Sequence, residues 1–166
     1  MEPFHGALLW DVGAGSGSIG IAWMRLDHRC QAIAIEANPE RAENITQNSC
    51  KLGTPNLKIV IDKAPSILST LPTPDAIFIG GGITSKGMVK QCWDFLRAGG
   101  CLVANVVTTE GEEEVLKNQK KLGGHLTRIS ISNLEKIGSK KAWRPSMQVT
   151  QWKVKKPIQM LRESII

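Results

Sequence analysis

The chain has 166 residues, of which 42% are hydrophobic and 22% are charged, and its formal net charge is +6 at pH 7. This length allows one domain with one substantial core, and these fractions exclude a disordered or collagen-like chain. The sequence has no apolar run of about 18 residues and no basic start followed by an apolar stretch, so we expect a cytoplasmic protein without a membrane helix or secretory signal.

Short apolar segments alternate along the chain with segments of helical length or period, which is typical of an α/β fold. The apolar segments are residues 8–12 (LLWDV), 32–36 (AIAIE), 57–61 (LKIVI), 76–79 (AIFI) and 101–107 (CLVANVV). Strands covered by helices on both faces lack a polar–apolar alternation, so we predict that these five are parallel. The clearest helix covers residues 39–52, because Asn38 can cap it, Pro39 takes the first helical position and Gly53 ends it.

The pattern changes in the last third of the chain. A predicted helix over residues 110–124 ends at Gly123 or Gly124, and the segments 126–132 (LTRISIS) and 147–154 (MQVTQWKV) follow without a clear helix between them. Two strands joined by a loop usually pair antiparallel. The sequence therefore predicts a seven-stranded, mostly parallel sheet that closes with an antiparallel hairpin, unlike the symmetrical layout of a nicotinamide-binding domain.

The positive charge is concentrated near the C-terminus. Residues 135–166 contain eight lysines and arginines against Glu135 and Glu163, which accounts for the whole excess. An anionic partner is expected to bind this region, although a solvated basic surface is an equal alternative. The four cysteines form no Cys-x-x-Cys pair and the three histidines are dispersed, so no metal site is predicted.

A glycine-rich turn follows the first predicted strand. Gly13, Gly15, Gly17 and Gly20 fit both Gly-x-Gly-x-Gly and Gly-x-Gly-x-x-Gly, and such a turn lets the backbone approach a ligand closely. The preceding Asp11 would repel a pyrophosphate but suits a cofactor with a cationic amino acid part.

Other polar or glycine-rich segments also follow predicted strands. Glu36 ends the second strand and can accept hydrogen bonds from ribose hydroxyls; the alternative is an exposed acid at a strand end. The segments 62–65 (DKAP) and 80–82 (GGG) follow the third and fourth strands. Carboxyl ends of parallel strands meet at one edge of a sheet, so all these segments are predicted to line one crevice.

Six motifs are spread along the chain: DVGAGSGSIGIAWM, IEANPERAENI, PTPDAIFIGGG, LRAGGCLVANVVTTE, LTRISIS and WRPSMQVTQW. Together they resemble the C-terminal methyltransferase domain of the bifunctional precorrin-6Y C5,15-methyltransferases (decarboxylating) and the free-standing cobalt-precorrin C15-methyltransferases of cobalamin biosynthesis. The similarity covers residues 8–157. We expect residues 1–157 to form the methyltransferase domain, with residues 158–166 as an unassigned tail.

The resemblance implies a Rossmann-like class I fold that binds S-adenosylmethionine. It implies that Gly13–Gly17 surround the methionine moiety, Glu36 holds the ribose and Ala64 lies beside the adenine. Family members also carry a helix before the first strand, which this sequence lacks. The expected cofactor-binding residues are Asp11, Gly13, Ala14, Gly15, Ser16, Gly17, Glu36, Ala37, Lys63, Ala64, Gly80 and Gly81.

The implied reaction is methyl transfer to the C-15 meso carbon of a precorrin with loss of the ring C acetate carboxylate as carbon dioxide.

Gly82 and the adjacent glycines can bring the backbone close to the transferring methyl, or form only a tight turn. Arg144 is the expected anchor for a substrate carboxylate. Trp143 can lie against the macrocycle or belong to the core. Asn105 and Glu110 can orient the acetate or a proton, or Glu110 can simply cap a helix with Thr109.

Two other functions stay open on the sequence. The first is a tRNA or rRNA methyltransferase, but no Asn-Pro-Pro-Tyr or Asp-Pro-Pro-Tyr follows strand four and the chain has no tyrosine, so no nucleic acid partner is expected. The second is a non-catalytic, cofactor-binding fragment of a larger bifunctional enzyme. The resemblance further implies a homo-oligomer and a fused or paired N-terminal C5-methyltransferase domain; whether the precorrin carries cobalt does not follow from the sequence.

Overall fold

A computed structural model describes residues 1–158 of the chain. Within this range the chain forms four α-helices, one short 3-10 helix (Ser66–Thr70) and nine strands. The helices are α1 (Ser18–Leu26), α2 (Pro39–Lys51), α3 (Met88–Phe95) and α4 (Thr109–Leu122). The strands are β1 (Leu8–Val12), β2 (Gln31–Glu36), β3 (Lys58–Ile61), β4 (Ala76–Ile79), β5 (Cys101–Val106), β6 (His125–Ile129), β7 (Ser132–Ile137), β8 (Lys140–Pro145) and β9 (Val149–Lys155).

Seven of these strands form one sheet in the order β3-β2-β1-β4-β5-β9-β6. The first five are parallel, whereas β9 is antiparallel to both of its neighbours. The predicted α/β fold, with a mostly parallel seven-stranded sheet and an antiparallel C-terminal pair, is confirmed. The chain reverses its direction of strand addition between β1 and β4, and open α/β sheets bind ligands beside such a reversal.

The segment between the two C-terminal strands differs from the prediction. Residues 132–145, predicted to begin as the end of a strand and continue as a loop, form the β7–β8 hairpin, a separate two-stranded sheet. Most of its side chains are exposed, so its residues do not show the buried apolar pattern that predicts a strand. Consequently β6 ends at Ile129, and β9 starts only at Val149.

The ends of the helices follow the capping signals in the sequence. The Asn38 side chain accepts a hydrogen bond from the Arg41 amide (3.1 Å) at the start of α2, and Pro39 is its first residue. Helix α4 begins with a hydrogen bond from the Gly111 amide to the Thr108 hydroxyl (3.1 Å), so Thr108 rather than Thr109 is its N-cap. The helix ends before Gly123, as predicted.

Helix α3 is held at its C-terminal end by a lysine from the far end of the chain. The Lys156 ammonium group donates to the carbonyl oxygens of Trp93 (2.7 Å), Asp94 (3.2 Å) and Leu96 (2.7 Å). A cation at this end satisfies carbonyl groups that the helix leaves unpaired. The contact therefore fixes the end of β9 to the layer of helices.

The hydrophobic core lies on both faces of the large sheet. Trp10 of β1 and Trp152 of β9 are fully buried on the face covered by α3 and α4, where Val106 and Met88 also pack. Ala34 and Ile45 belong to the second cluster, on the face covered by α1 and α2.

Among the described residues, no helix is both long and apolar enough to cross a bilayer. Apart from Ile158, the predicted tail lies outside the described residues, as do Arg162 and Glu163 of the basic region.

Candidate functional site

A cleft with a cavity of about 360 Å³ lies at the carboxyl ends of the parallel strands, beside the reversal between β1 and β4. Eight of the predicted site residues line it: Gly13, Gly15, Glu36, Ala37, Lys63, Ala64, Gly80 and Gly81; so does Gly82, which we expected to face the substrate. Segments from four separate strand ends therefore meet here, as the sequence predicted.

The glycine turn brings two backbone segments closer than any side chain would permit. Gly13 has φ 68°, and a Cβ atom added to it would lie 2.8 Å from the Gly81 amide nitrogen. Gly17 has φ 77°, and its added Cβ would lie 2.6 Å from Cγ2 of Ile45. Glycine is therefore required at both positions, by backbone conformation and by contact distance.

Glu36 is a buried carboxylate with hydrogen-bonding capacity to spare. Its Oε2 accepts from the Gly15 amide (2.9 Å) and its Oε1 accepts from the Asn38 amide (3.0 Å). A carboxylate has about four lone-pair positions, so about two stay free for hydroxyl donors in the cleft. The two amides also hold the side chain in one orientation, which joins the glycine turn to the start of α2.

Asp11 lies beneath the glycine turn and not among the residues that line the cleft. Its side chain is 1% exposed, and Oδ2 accepts a hydrogen bond from the Gly20 amide in the first turn of α1 (2.9 Å). Burial raises the pKa of Asp11 to about 7; the Gly20 hydrogen bond lowers it, and the charge of Glu36 raises it further. In this arrangement, Asp11 supports α1 and the glycine turn from below.

The cleft contains residues that the sequence did not point to: Arg41 of α2, and Ser85 and Met88 from the segment around the start of α3. Asp62, the first residue of the predicted segment 62–65, also lines it. The Asp62 Oδ1 accepts from the Lys63 amide (2.6 Å). A usable signal existed for Arg41, because the first turn of a helix that follows a parallel strand lies at the same sheet edge as the strand end.

The remaining predicted residues of the turn, Ala14, Ser16 and Gly17, lie in the segment that joins β1 to α1, but they do not line the cavity. Asn105 of β5 faces a different cavity, which also contains Phe78 and Val103, and its Oδ1 accepts from Gln151 (2.9 Å).

Glu110 is an exposed residue of the first turn of α4. Its pKa is lowered by hydrogen bonds from its own backbone amide and from the Thr108 and Thr109 hydroxyls, although desolvation opposes them. Such local hydrogen bonds favour the helix-capping alternative for Glu110.

The two residues expected to bind the substrate lie on the β7–β8 hairpin. Arg144 pairs with Glu135 on the opposite strand, with Nη1 3.2 Å from Oε2. Trp143 is 70% exposed, which excludes the core alternative for this residue. Neither side chain lines the cleft. Their binding to a substrate stays a prediction.

A larger cavity, of about 540 Å³, lies at the opposite edge of the sheet, where β1, β2 and β3 begin. Its lining includes Met24, Arg29, Lys58 and Pro72. It contains neither a glycine turn nor a buried carboxylate, so the smaller cleft is the better candidate site.

Comparison with known proteins agrees with this geometry. A family profile described as "Precorrin methyltransferase domain" matches residues 1–156. The chain belongs to the precorrin methyltransferase domain family. The resemblance found in the sequence motifs is thereby confirmed.

Individual members of the precorrin methyltransferase domain family are similar over most of the chain. A precorrin-6Y C(5,15)-methyltransferase [decarboxylating] from Sinorhizobium sp is 49% identical over 92% of this chain, which spans 37% of that relative's length. The C-terminal domain of a precorrin-6Y C5,15-methyltransferase from Rhodobacter capsulatus has a TM-score of 0.84 and 38% identity, covering 93% of this chain and 83% of that one. A structure described as the targeted domain of a precorrin-6Y C5,15-methyltransferase from Corynebacterium diphtheriae also gives a TM-score of 0.84, with 37% identity, covering 93% of this chain and 89% of that one.

Proposed function

We propose that the chain is an S-adenosylmethionine-dependent methyltransferase that methylates the C-15 meso carbon of a precorrin and removes the ring C acetate carboxylate as carbon dioxide. Residues 1–157 form the methyltransferase domain in this proposal. The observation that carries it is the cleft in which Glu36, fixed by the Gly15 and Asn38 amides, lies beside the Gly13–Gly81 contact. Family membership and the printed names of the relatives support the same reaction.

The residues of the cleft fit S-adenosylmethionine. The close contact of Gly13 with Gly81 requires glycine, so backbone without side chains lines the cleft there, and Glu36 retains free lone pairs for two ribose hydroxyls. We assign the methionine moiety to Gly13–Gly17, with Asp11 supporting this turn from below. Lys63 and Ala64 flank the adenine, Ala37 lies beside the ribose, and Gly80 and Gly81 lie near the methyl group. When bound, the cofactor supplies an electrophilic methyl group on a positively charged sulfur.

Positioning can supply most of the acceleration in this chemistry. The reacting carbon must lie in line with the transferable methyl at near-attack distance, and no general base is needed for the transfer itself. Loss of carbon dioxide leaves the electron pair of the broken carbon–carbon bond in the conjugated tetrapyrrole, where it can make the meso carbon nucleophilic. The chain's task is therefore to hold two flat or extended molecules in one orientation, and the glycines at 80–82, which line the cleft, let the backbone approach them closely.

The proposal includes a homo-oligomer that acts in the cytoplasm, joined to or paired with an N-terminal C5-methyltransferase domain. The chain spans only 37% of the Sinorhizobium relative, which supports a fused domain. The β7–β8 hairpin supports self-association, because its paired residues Leu134 and Trp143 are more than half exposed. An isolated two-stranded hairpin is at best marginally stable in water, so burial against a second copy would stabilise it.

The decisive experiment is anaerobic incubation of the chain with S-adenosylmethionine and precorrin-6B or its cobalt form, followed by mass spectrometry. We expect a product that has gained one methyl group and lost one carbon dioxide. Calorimetry with S-adenosylhomocysteine tests the cofactor separately. Binding of a nicotinamide dinucleotide in place of either adenosyl compound would contradict the proposal.

A further inference from the structure

A polar network joins three elements at the sheet edge where β5 ends. The Glu112 Oε1 of α4 accepts a hydrogen bond from Arg128 Nη2 of β6 (2.9 Å) and another from the Thr150 hydroxyl of β9. Thr150 is opposite both Arg128 and Val106, the last residue of β5. The network therefore lies at the edge of the sheet that contains the cleft.

Arg128 also lies on the correct face of the sheet to reach a ligand that extends from the cleft. Opposite residues of antiparallel strands point to the same side, so Arg128 shares a face with Val106. Val106 packs in one cluster with Met88, which lines the cleft. Strand β6 is three strand spacings from β4, which corresponds to about 14 Å across the sheet.

The guanidinium group of Arg128 is held in one orientation and still has free N–H donors. Its side chain is 58% exposed, and within residues 1–158 the structure gives it a single acceptor, Glu112. The Thr150 hydroxyl lowers the pKa of Glu112; desolvation opposes this, and the charge and hydrogen bond of Arg128 lower the pKa further. Glu112 therefore stays ionised at neutral pH, and the remaining N–H groups of Arg128 are free to bind a second anion.

We propose that Arg128, positioned by Glu112, binds a peripheral carboxylate of the tetrapyrrole substrate when its meso carbon lies at the cleft. This inference rests on the proposed function and extends it to the substrate. Arginine suits the task, because its planar fork can pair with a carboxylate through two parallel hydrogen bonds. Arg128 is a better candidate than Arg144, since it belongs to the large sheet that forms the cleft, whereas Arg144 lies on the separate β7–β8 hairpin.

The test compares steady-state kinetics of the wild type with Arg128→Ala, Arg128→Lys and Glu112→Gln. We expect Arg128→Ala to raise KM for the precorrin about 10- to 100-fold, the usual effect of losing hydrogen bonds to a charged group. The kcat at saturation and the Kd for S-adenosylhomocysteine are expected to stay unchanged. Arg128→Lys keeps the positive charge but not the planar guanidinium group, so its KM should lie between those of the wild type and Arg128→Ala. Glu112→Gln should raise KM less than Arg128→Ala does.

Lys117→Ala is the matched control, because Lys117 also pairs with a glutamate of α4 (Glu114, 3.4 Å) and is similarly exposed, at 62%. Its kinetics should equal those of the wild type. An unchanged KM in both Arg128 variants would overturn the inference, and so would an equal rise in KM and in the Kd for S-adenosylhomocysteine. If Arg128→Ala fails to fold, the KM of Arg128→Lys for the precorrin is the test: a raised KM supports the inference and an unchanged KM overturns it. A wild type that binds the cofactor but does not methylate precorrin refutes the proposed function itself, and the inference falls with it.

Discussion

The buried carboxylate of Asp11 accepts a hydrogen bond from the Gly20 amide, 2.9 Å away, and so ties the end of β1 to the first turn of α1. Helix α1 has no side-chain cap of its own, since its N-cap is Gly17. An acceptor from a neighbouring strand therefore satisfies one of the amides that the helix leaves unpaired. The contact therefore fixes the start of α1, where the glycine turn ends, to β1.

Asp11 should make the stability of the domain depend on pH. The pKa of Asp11 is about 7 in the folded state, whereas the ordinary value of 3.8 applies to the unfolded chain. At pH values between these two, the folded state binds more protons than the unfolded state. The free energy of unfolding should therefore fall as pH rises from about 4 to 7. Asp11→Asn keeps an acceptor for Gly20 and removes the titration, so it should be more stable than the wild type at pH 8, by up to about 4 kcal/mol.

Urea unfolding from pH 4 to pH 9 measures this difference. Asp94→Asn is the control, because Asp94 is exposed and pairs with Lys90 on the surface of α3. A parallel pH dependence in Asp11→Asn and the wild type would show that Asp11 does not titrate as described.

Gly13→Ala should prevent cofactor binding and destabilise the fold. The added methyl group would lie 2.8 Å from the Gly81 nitrogen, and neither backbone segment can move without disturbing a strand end. Gly138→Ala, in the hairpin turn, provides the control: its φ of 60° is also positive, but its Cβ would have open space. The control should lose about 1–2 kcal/mol from backbone conformation alone. Gly13→Ala should lose more, as measured by chemical unfolding, with no heat of S-adenosylhomocysteine binding in calorimetry. Equal losses in the two variants would exclude the proposed clash.

Glu36→Gln should weaken S-adenosylhomocysteine binding about 10- to 100-fold. The substitution removes a charged acceptor, and it turns an amide group toward the backbone amide of Gly15 or Asn38, each of which needs an acceptor. Isothermal titration calorimetry gives the Kd directly. Glu40→Gln, on the exposed first turn of α2, should bind like the wild type. An unaltered Kd in Glu36→Gln would remove Glu36 from the cofactor site.

Lys156→Met should destabilise the domain by about 1–3 kcal/mol while the Kd for S-adenosylhomocysteine stays the same. Three carbonyl groups at the end of α3 lose a charged donor, although methionine preserves much of the aliphatic packing. Lys155→Met changes the neighbouring exposed lysine and should have little effect on urea unfolding. If the two variants unfold at the same urea concentration, the contact of Lys156 with α3 contributes nothing to stability.

Local patterns in the sequence predicted most of the fold and the lining of the cleft. The five parallel strands are mainly apolar, Glu36 is the last residue of β2, and Lys63 and Gly80 follow β3 and β4. Their places in the chain were therefore sufficient to predict that they lie at one sheet edge. The burial of the Asp11 carboxylate beneath the glycine turn did not follow from the same reasoning. Its spacing from Gly13 places it near the turn, but only the packing of α1 determines which side of the turn the carboxylate occupies.

Pairing between distant segments explains what the sequence analysis missed. The β7–β8 hairpin has exposed charges on both strands, and its pairing of Leu134 with Trp143 cannot be inferred from hydrophobic periodicity. The network of Glu112, Arg128 and Thr150 likewise depends on the register of β9 between β5 and β6. Arg128 was overlooked for this reason, since nothing in its neighbours along the chain distinguishes it from other surface arginines.

The position of β9 also constrains how the domain can be synthesised and folded. Residues 149–155 emerge late from the ribosome, yet they lie inside the sheet and separate β5 from β6, which is made earlier. Until they arrive, β5 keeps an unpaired edge, β6 has no neighbour in the sheet and the pocket for Trp152 is empty. A nascent chain stalled before Val149 would thus carry an aggregation-prone edge, and the large sheet can be completed only after β9 has been synthesised.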